Sequence, residues 1–106
     1  MYSRNDLNKL IEKFINRISK DYTIDAAYLF GSYANGTAKE YSDIDLAIVS
    51  NMFEGSRFFD RQKLAKYVLE TSVDLEIHPY KTEEFTEDDP FVKEIIKTGR
   101  KINFNS

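Results

Sequence analysis

The chain contains no cysteine, two prolines, four glycines and a single histidine. Without cysteine it cannot form a disulfide framework, or a zinc or iron–sulfur site held by thiolates. The few glycines and prolines exclude collagen-like and low-complexity classes. No apolar run approaches the roughly 20 residues of a membrane-spanning helix, and the first ten residues lack a signal-peptide core. We therefore expect a soluble cytoplasmic protein with no membrane partner.

The length of 106 residues predicts one domain, 1–106, because domains usually contain about 100–150 residues. The composition is 42% hydrophobic and 14% aromatic, which is enough for one modest core. The 15 basic and 18 acidic residues give a net charge of −3. A standing nucleic-acid partner would favour a basic surface, so no stable complex with nucleic acid is expected.

Hydrophobic periodicity predicts three helices and three strands. The predicted helices cover residues 4–20, 57–70 and 90–99. The predicted strands cover 26–30, 43–48 and 73–78, and Pro79 ends the last of them. The inner face of the second helix is expected to include Phe58, Leu64, Tyr67, Val68 and Leu69. Ile102 and Phe104 form a short closing strand or tuck under the sheet. This order indicates an α/β layered domain and leaves the strand directions open.

Asp43 and Asp45 flank Ile44 at the start of the second predicted strand. Residues two apart on a strand project from the same face, with backbones roughly 7 Å apart. Two carboxylates on one face repel each other unless a positive group lies between them. Mg²⁺ suits such oxygen ligands, since it is usually held by one or two carboxylates together with substrate phosphates. The alternative is a solvated strand face or a weak surface ion pair with Lys39 or Arg57.

Gly31 and Ser32 end the first predicted strand and supply the complementary half of such a site. A glycine at this point lets the backbone approach a phosphate with no Cβ in the way. If a helix begins near Ser32, its free amides and its dipole favour an anion, and the hydroxyl adds a donor. Taken alone, the pair is an ordinary strand-to-turn junction. Taken with the two acids, it predicts a site for a metal-bound triphosphate.

Asp74 lies on the third predicted strand, on the face opposite Val73 and Leu75. If this strand neighbours the second one, Asp74 can point into the same cleft, help to bind metal and act as a general base. Glu76 and His78 share that face, so Glu76 is an alternative third acid. A lone histidine at a strand end is more often incidental than catalytic, and no role is assigned to His78.

These residues together resemble the signature of the DNA polymerase β-like nucleotidyltransferase superfamily. The signature is Gly31-Ser32, ten residues, then Asp43-Ile44-Asp45, with Ser42 ahead of the pair. Three features are similar to its minimal nucleotidyltransferase branch. They are the small size, the motif Gly31-Ser32-Tyr33-Ala34-x-Gly36 and the Val73-Asp74-Leu75 strand. The final helix is also similar to the end of that branch, so the resemblance covers nearly the whole chain.

The resemblance implies a small nucleotidyltransferase fold of the α+β type, with helices packed on a mixed β-sheet. It implies an enzyme that transfers a nucleoside monophosphate, AMP from ATP, to a hydroxyl and releases pyrophosphate. The implied nucleotide-binding residues are Gly31, Ser32 and Ser42, and the implied catalytic and magnesium-binding residues, for two ions, are Asp43, Asp45 and Asp74.

Many members of that branch are antitoxins paired with HEPN-domain ribonuclease toxins, and some transfer AMP to a tyrosine of the toxin. The resemblance therefore implies a HEPN toxin as the partner and the role of antitoxin in a type VII toxin–antitoxin system. One departure is visible, because Asn35 stands where many relatives have arginine. This change removes a positive charge beside the triphosphate.

Two alternatives belong to different classes of function. A binding module with the same fold would neutralise its partner sterically, without catalysis. A small-molecule nucleotidyltransferase or a polymerase would need an additional domain, and 106 residues leave no room for one unless a second subunit supplies it. The acceptor, the preferred base and the oligomeric state, homomeric or heteromeric, have no signature in the sequence.

Overall fold

The computed structural model describes residues 1–104, which form four α-helices, four strands and one short 3₁₀ turn. The helices are α1 (Arg4–Ile18), α2 (Ser32–Asn35), α3 (Arg57–Thr71) and α4 (Pro90–Thr98). The strands are β1 (Ala26–Phe30), β2 (Ile44–Val49), β3 (Leu75–Tyr80) and β4 (Arg100–Lys101), and the 3₁₀ turn is Thr82–Glu84. No helix within residues 1–104 has the length and apolar character needed to cross a membrane.

The four strands form one mixed sheet in the order β3-β2-β1-β4. Strand β1 is antiparallel to both β2 and β4, whereas β2 and β3 are parallel. The parallel pair is joined through α3, the kind of helical crossover that parallel neighbours require. The predicted fold class, helices packed on a mixed sheet, is confirmed, and the structure supplies the strand directions that the sequence pattern left open.

Helices α1 and α3 pack on one face of the sheet and form the main core. Ser3 caps α1 by accepting a hydrogen bond from the Asp6 amide at 3.1 Å, which explains why the helix begins there. The apolar side chains of α1 are buried against the rest of the protein. Each Å² of apolar surface removed from water contributes roughly 25 cal/mol, so this burial supplies much of the stabilisation of the helix layer. The buried residues of α1 are Leu7, Ile11, Phe14, Ile15 and Ile18.

Helix α4 covers part of the opposite face. Asp89 caps it by accepting a hydrogen bond from the Phe91 amide at 2.9 Å, and Pro90 occupies its first turn, as predicted. Under α4 lies a second, smaller cluster whose buried members are Phe30, Ala47, Val49, Tyr80, Val92 and Ile95. The half of this face nearer Asp43 and Glu76 stays accessible to solvent.

Three details of the predicted elements were wrong. Val73 is 77% exposed and precedes β3, while Pro79 lies inside the strand and does not end it. A proline fits there because β3 is an edge strand, which does not use every backbone amide for pairing. Phe58 and Leu69 are 60% and 73% exposed, so they face away from the core that Leu64 and Tyr67 enter.

The C-terminal segment follows the second of the two predicted alternatives, after a two-residue strand. The Ile102 amide donates to the Ala27 carbonyl at 2.8 Å. Ile102 and Phe104 then pack, partly buried, against the main core. The segment that follows α4 therefore pairs with β1 and forms that edge of the sheet.

Candidate active site

The predicted site residues lie at one edge of the sheet, where β1 ends and β2 and β3 begin. Gly31 and Ser32 follow β1, Ser42 and Asp43 precede β2, and Asp45 lies in β2. Asp74, predicted on the third strand, directly precedes β3. The register pairs Phe30 with Asp45 across β1 and β2, and Asp45 with Glu76 across β2 and β3. Residues directly opposite each other on neighbouring strands project from the same face. Phe30, Asp45 and Glu76 therefore lie on the same face of the sheet, which α4 covers only in part, and Gly31 directly follows Phe30.

Gly31 makes the sharp turn between β1 and α2 and lies directly against Asp45. Its φ is +75° and its ψ is −154°, a conformation essentially restricted to glycine. A Cβ atom at this position would collide with Oδ2 of Asp45. Ser32 then begins α2, and the leading amides of a helix have no intrahelical partners. The glycine turn and the Asp45 carboxylate are thus in direct contact, and the predicted roles of Gly31 and Ser32 in binding nucleotide stay predictions.

Ser42 and Asn35 serve the loop that joins α2 to β2. The Ser42 hydroxyl accepts a hydrogen bond from the Lys39 amide at 2.8 Å, and Asn35 Oδ1 accepts one from the Thr37 amide at 3.2 Å. Both contacts order the loop before Asp43. The predicted role of Ser42 in binding nucleotide stays a prediction.

Asp43 and Asp45 concentrate negative charge at this edge. Asp43 is exposed, and the side chain of Asp45 is 24% exposed. Burial raises the pKa of Asp45; the hydrogen bond from His78 opposes that rise, and the charges of Asp43 and Glu76 add to it. A cation would relieve this crowding, and two carboxylates beside an open glycine turn suit a hard divalent ion with oxygen ligands. The donor set therefore fits magnesium.

Asp74 does not converge with the first two acids. Its carbonyl accepts a hydrogen bond from the Ile44 amide at 2.8 Å, so its backbone adjoins the start of β2. Its carboxylate, however, accepts a hydrogen bond from the Tyr2 hydroxyl at 2.6 Å. Across residues 1–104, no group of three or more His, Cys, Asp and Glu side chains is placed to hold a metal ion. The triad of Asp43, Asp45 and Asp74 stays a prediction.

Glu76, the alternative third acid, lies on the same face as Asp45 and forms an ion pair with an arginine. Its carboxylate lies 2.9 Å from the guanidinium of Arg61, which reaches from α3 around the edge strand β3. Both side chains are partly exposed, at 36% and 48%. Glu76 is therefore nearer to Asp45 in the register than Asp74 is, but its charge is compensated.

His78 is the site residue that sequence reasoning missed. Its Nε2 lies 3.3 Å from Oδ1 of Asp45, and its Nδ1 lies 3.0 Å from a guanidinium nitrogen of Arg57. Burial lowers the pKa of the ring, and the hydrogen bond to Asp45 opposes that change. The signal in the sequence was its position two residues after Glu76, on the same strand face.

The sequence is similar to that of known proteins of one family. The family model described as nucleotidyltransferase domain matches residues 11–103. The "Putative protein adenylyltransferase MJ1305" of Methanocaldococcus jannaschii is 36% identical over 65 residues, which are 59% of this chain and 44% of that protein. The "Probable protein adenylyltransferase MntA" of Haemophilus influenzae is 34% identical over 64 residues, which are 60% of this chain and 52% of that protein. The chain thus spans about half the length of these two relatives.

A solved structure supports the fold independently. The "Crystal structure of the toxin-antitoxin with AMP-PNP" matches with a TM-score of 0.56 at 22% identity, over 93% of this chain and 74% of that one. The match of the family model over residues 11–103 confirms the predicted family. The chain belongs to the nucleotidyltransferase domain family, and its sequence fits the minimal, MntA-type branch.

Proposed function

We propose that the protein is a magnesium-dependent nucleotidyltransferase that transfers AMP from ATP to a hydroxyl of a partner protein. The observation on which this proposal rests is the close approach of the Gly31 turn to the Asp45 carboxylate, with Asp43 two residues away. One side of this contact suits a polyphosphate and the other suits a divalent cation. Family membership and relatives named as protein adenylyltransferases support the same reaction.

The reaction forms a bond between the acceptor oxygen and the α-phosphorus of ATP. The bond from that phosphorus to the oxygen bridging to the β-phosphate breaks, and pyrophosphate leaves. Asp43 and Asp45 would hold magnesium, which when bound neutralises phosphate charge and steadies the attacking and leaving oxygens. Gly31 and Ser32 present backbone amides to the phosphates, so positioning contributes a large share of the rate. Asp74 or Glu76 accepts the hydroxyl proton.

The proposed acceptor is a tyrosine hydroxyl of a HEPN-domain toxin, and the proposed role is that of an antitoxin. The support for a toxin partner comes from two solved toxin–antitoxin structures that share the fold, one of which carries the name MntA in its title. The support for the HEPN class and for tyrosine comes from the resemblance given by the motif around Gly31 and Asp43. The activity, the acceptor and the partner of the whole protein are parts of this proposal.

The decisive experiment labels ATP in two positions. Wild-type protein is incubated with Mg²⁺ and the co-purified partner, using ATP carrying ³²P at either the α- or the γ-phosphate. We expect label on the partner only from the α-position, because AMP is the group transferred. The double variant Asp43→Asn with Asp45→Asn should reduce the label to background. Arg17→Gln, which removes a surface ion pair with Glu70, serves as a folded control with full activity.

Label from the γ-position, or equal labelling by the double variant, would contradict the proposal. A second candidate function is a binding module that covers the toxin without catalysis. It is favoured by the hydrogen bond between Tyr2 and Asp74, which withholds the predicted third acid from the site. That reading prevails if no label is transferred and both wild-type protein and the double variant still silence the toxin.

A further inference from the structure

His78 is held between a carboxylate and a guanidinium, and the identity of these two neighbours defines its protonation pattern. Arginine can only donate hydrogen bonds, so Nδ1 of His78 must accept the bond from Arg57. The ring is then neutral, and its proton lies on Nε2, which faces Oδ1 of Asp45 at 3.3 Å. Arg57 therefore donates a hydrogen bond to His78, and His78 donates one to Asp45.

Packing restricts the orientations of both His78 and Arg57. The side chain of His78 is 16% exposed, and its ring stands edge-on to the ring of Phe30, with centroids 4.8 Å apart. The guanidinium of Arg57 lies over the ring of Tyr80, 5.4 Å from its centroid, in a cation–π arrangement. Phe30 of β1 thus restricts the imidazole of His78, and Tyr80 of β3 restricts the guanidinium that contacts its Nδ1.

The two oxygens of Asp45 thereby face different surroundings. Oδ1 is engaged by His78, whereas Oδ2 lies beside the backbone of Gly31, where an added Cβ would collide with it. A carboxylate with one oxygen tied by a hydrogen bond has fewer rotamers to lose when the other oxygen binds a cation. Partners that orient a ligand in this way commonly affect metal affinity as much as activity.

We propose that His78 and Arg57 are positioning residues for the nucleotide–metal site. His78 directs the Asp45 carboxylate, and Arg57 selects the ring tautomer that can donate to it. This inference rests on the proposed function, because it takes Asp45 as a ligand of the divalent cation. It adds a role to α3, whose first residue, Arg57, reaches around the edge strand β3 to the accessible face.

The test measures binding of Mn²⁺ in the presence of AMP-PNP by electron paramagnetic resonance, which requires no acceptor. His78→Phe keeps a ring against Phe30 but cannot donate to Asp45, and should weaken Mn²⁺ binding about 10–100-fold. His78→Gln places an amide N–H near the former Nε2, and should restore binding to within about 3-fold of wild type. Arg57→Gln should weaken binding about 3–10-fold, because both tautomers of His78 then become available.

Arg17→Gln is the matched control, since it removes a guanidinium contact between α1 and α3, which involves none of the site residues, and it should bind Mn²⁺ as wild type does. Thermal unfolding of each variant checks that the fold is retained. Unchanged Mn²⁺ affinity in both His78→Phe and Arg57→Gln overturns the inference, as does equal weakening in His78→Gln and His78→Phe. Failure of wild-type protein to bind Mn²⁺ with AMP-PNP is a separate result, which counts against the proposed function itself.

Discussion

Gly31 and Gly36 bracket the short helix α2, and both have a positive φ, of +75° and +80°. They differ in their surroundings. An added Cβ meets Oδ2 of Asp45 at Gly31, whereas nothing lies within 4 Å of one at Gly36. At the residue scale, Gly31 thus has a contact with the candidate site residue Asp45, whereas Gly36 is required only for the turn.

Alanine at each glycine should separate these two roles. Gly36→Ala should cost about 1–2 kcal/mol of unfolding free energy from left-handed backbone strain and leave transferase activity near wild type. Gly31→Ala should cost about 1–3 kcal/mol and also lose activity, because Asp45 must move. Urea unfolding and transfer of α-labelled AMP, each compared with wild type, check the pair. Full activity in folded Gly31→Ala would contradict a role for this contact.

At the scale of elements, α3 links the sheet to the site, and its start depends on a buried acid. Asp60 is 1% exposed and accepts hydrogen bonds from the amides of Glu54 at 2.9 Å and Gly55 at 3.0 Å. Ser56 caps the helix through the Phe59 amide. These contacts order the loop after β2 and thereby place the first turn of α3, including Arg57, beside β3.

Replacing Asp60 should therefore destabilise the protein strongly. Asp60→Ala removes the two hydrogen bonds that the amides of Glu54 and Gly55 donate to a buried carboxylate, and we expect a loss of about 2–4 kcal/mol in the free energy of unfolding. Asp60→Asn keeps one acceptor oxygen and should lose less. Chemical denaturation of both variants, with the exposed neighbour Gln62→Ala as control, measures the difference. An Asp60→Ala protein as stable as the Gln62→Ala control would contradict this account of the loop.

At the scale of the whole molecule, the site joins residues from β1, β2 and β3 at one edge of the sheet. Occupation of the site would therefore stabilise the entire fold, because a ligand that binds only the folded state lowers its free energy. The net charge of −3 works against binding a triphosphate without a cation. Stabilisation by nucleotide should consequently require a divalent ion.

We expect MgATP at about 100 times its dissociation constant to add about 2.7 kcal/mol to the unfolding free energy. For a chain of this size, that increment corresponds to a rise of about 10 °C or more in the melting temperature. Removing magnesium with EDTA, or introducing Asp43→Asn with Asp45→Asn, should abolish most of the shift. Differential scanning fluorimetry measures it. An equal shift with ATP and EDTA would show that nucleotide binding does not require the ion, which would contradict this prediction.

The sequence by itself determined most of the helices and strands, and it indicated the candidate residues of the site. Periodicity located α1, β1 and β2 within two residues of their bounds, because an amphipathic stripe or an alternating strand is a local property of the chain. The pair Gly31-Ser32 and the acids Asp43 and Asp45 became candidates in a similar way, because their residue types and their spacing along the chain indicate the chemistry of the site.

Only the tertiary structure decided which distant side chains meet. The Tyr2 hydroxyl bonds to a carboxylate 72 positions away, that of Asp74, and His78 meets Asp45 across 33 positions. Such pairs depend on strand order, on the parallel register of β2 with β3, and on how a long side chain such as Arg57 passes around an edge strand. Those features arise from packing two layers on one sheet, which no short window of sequence encodes.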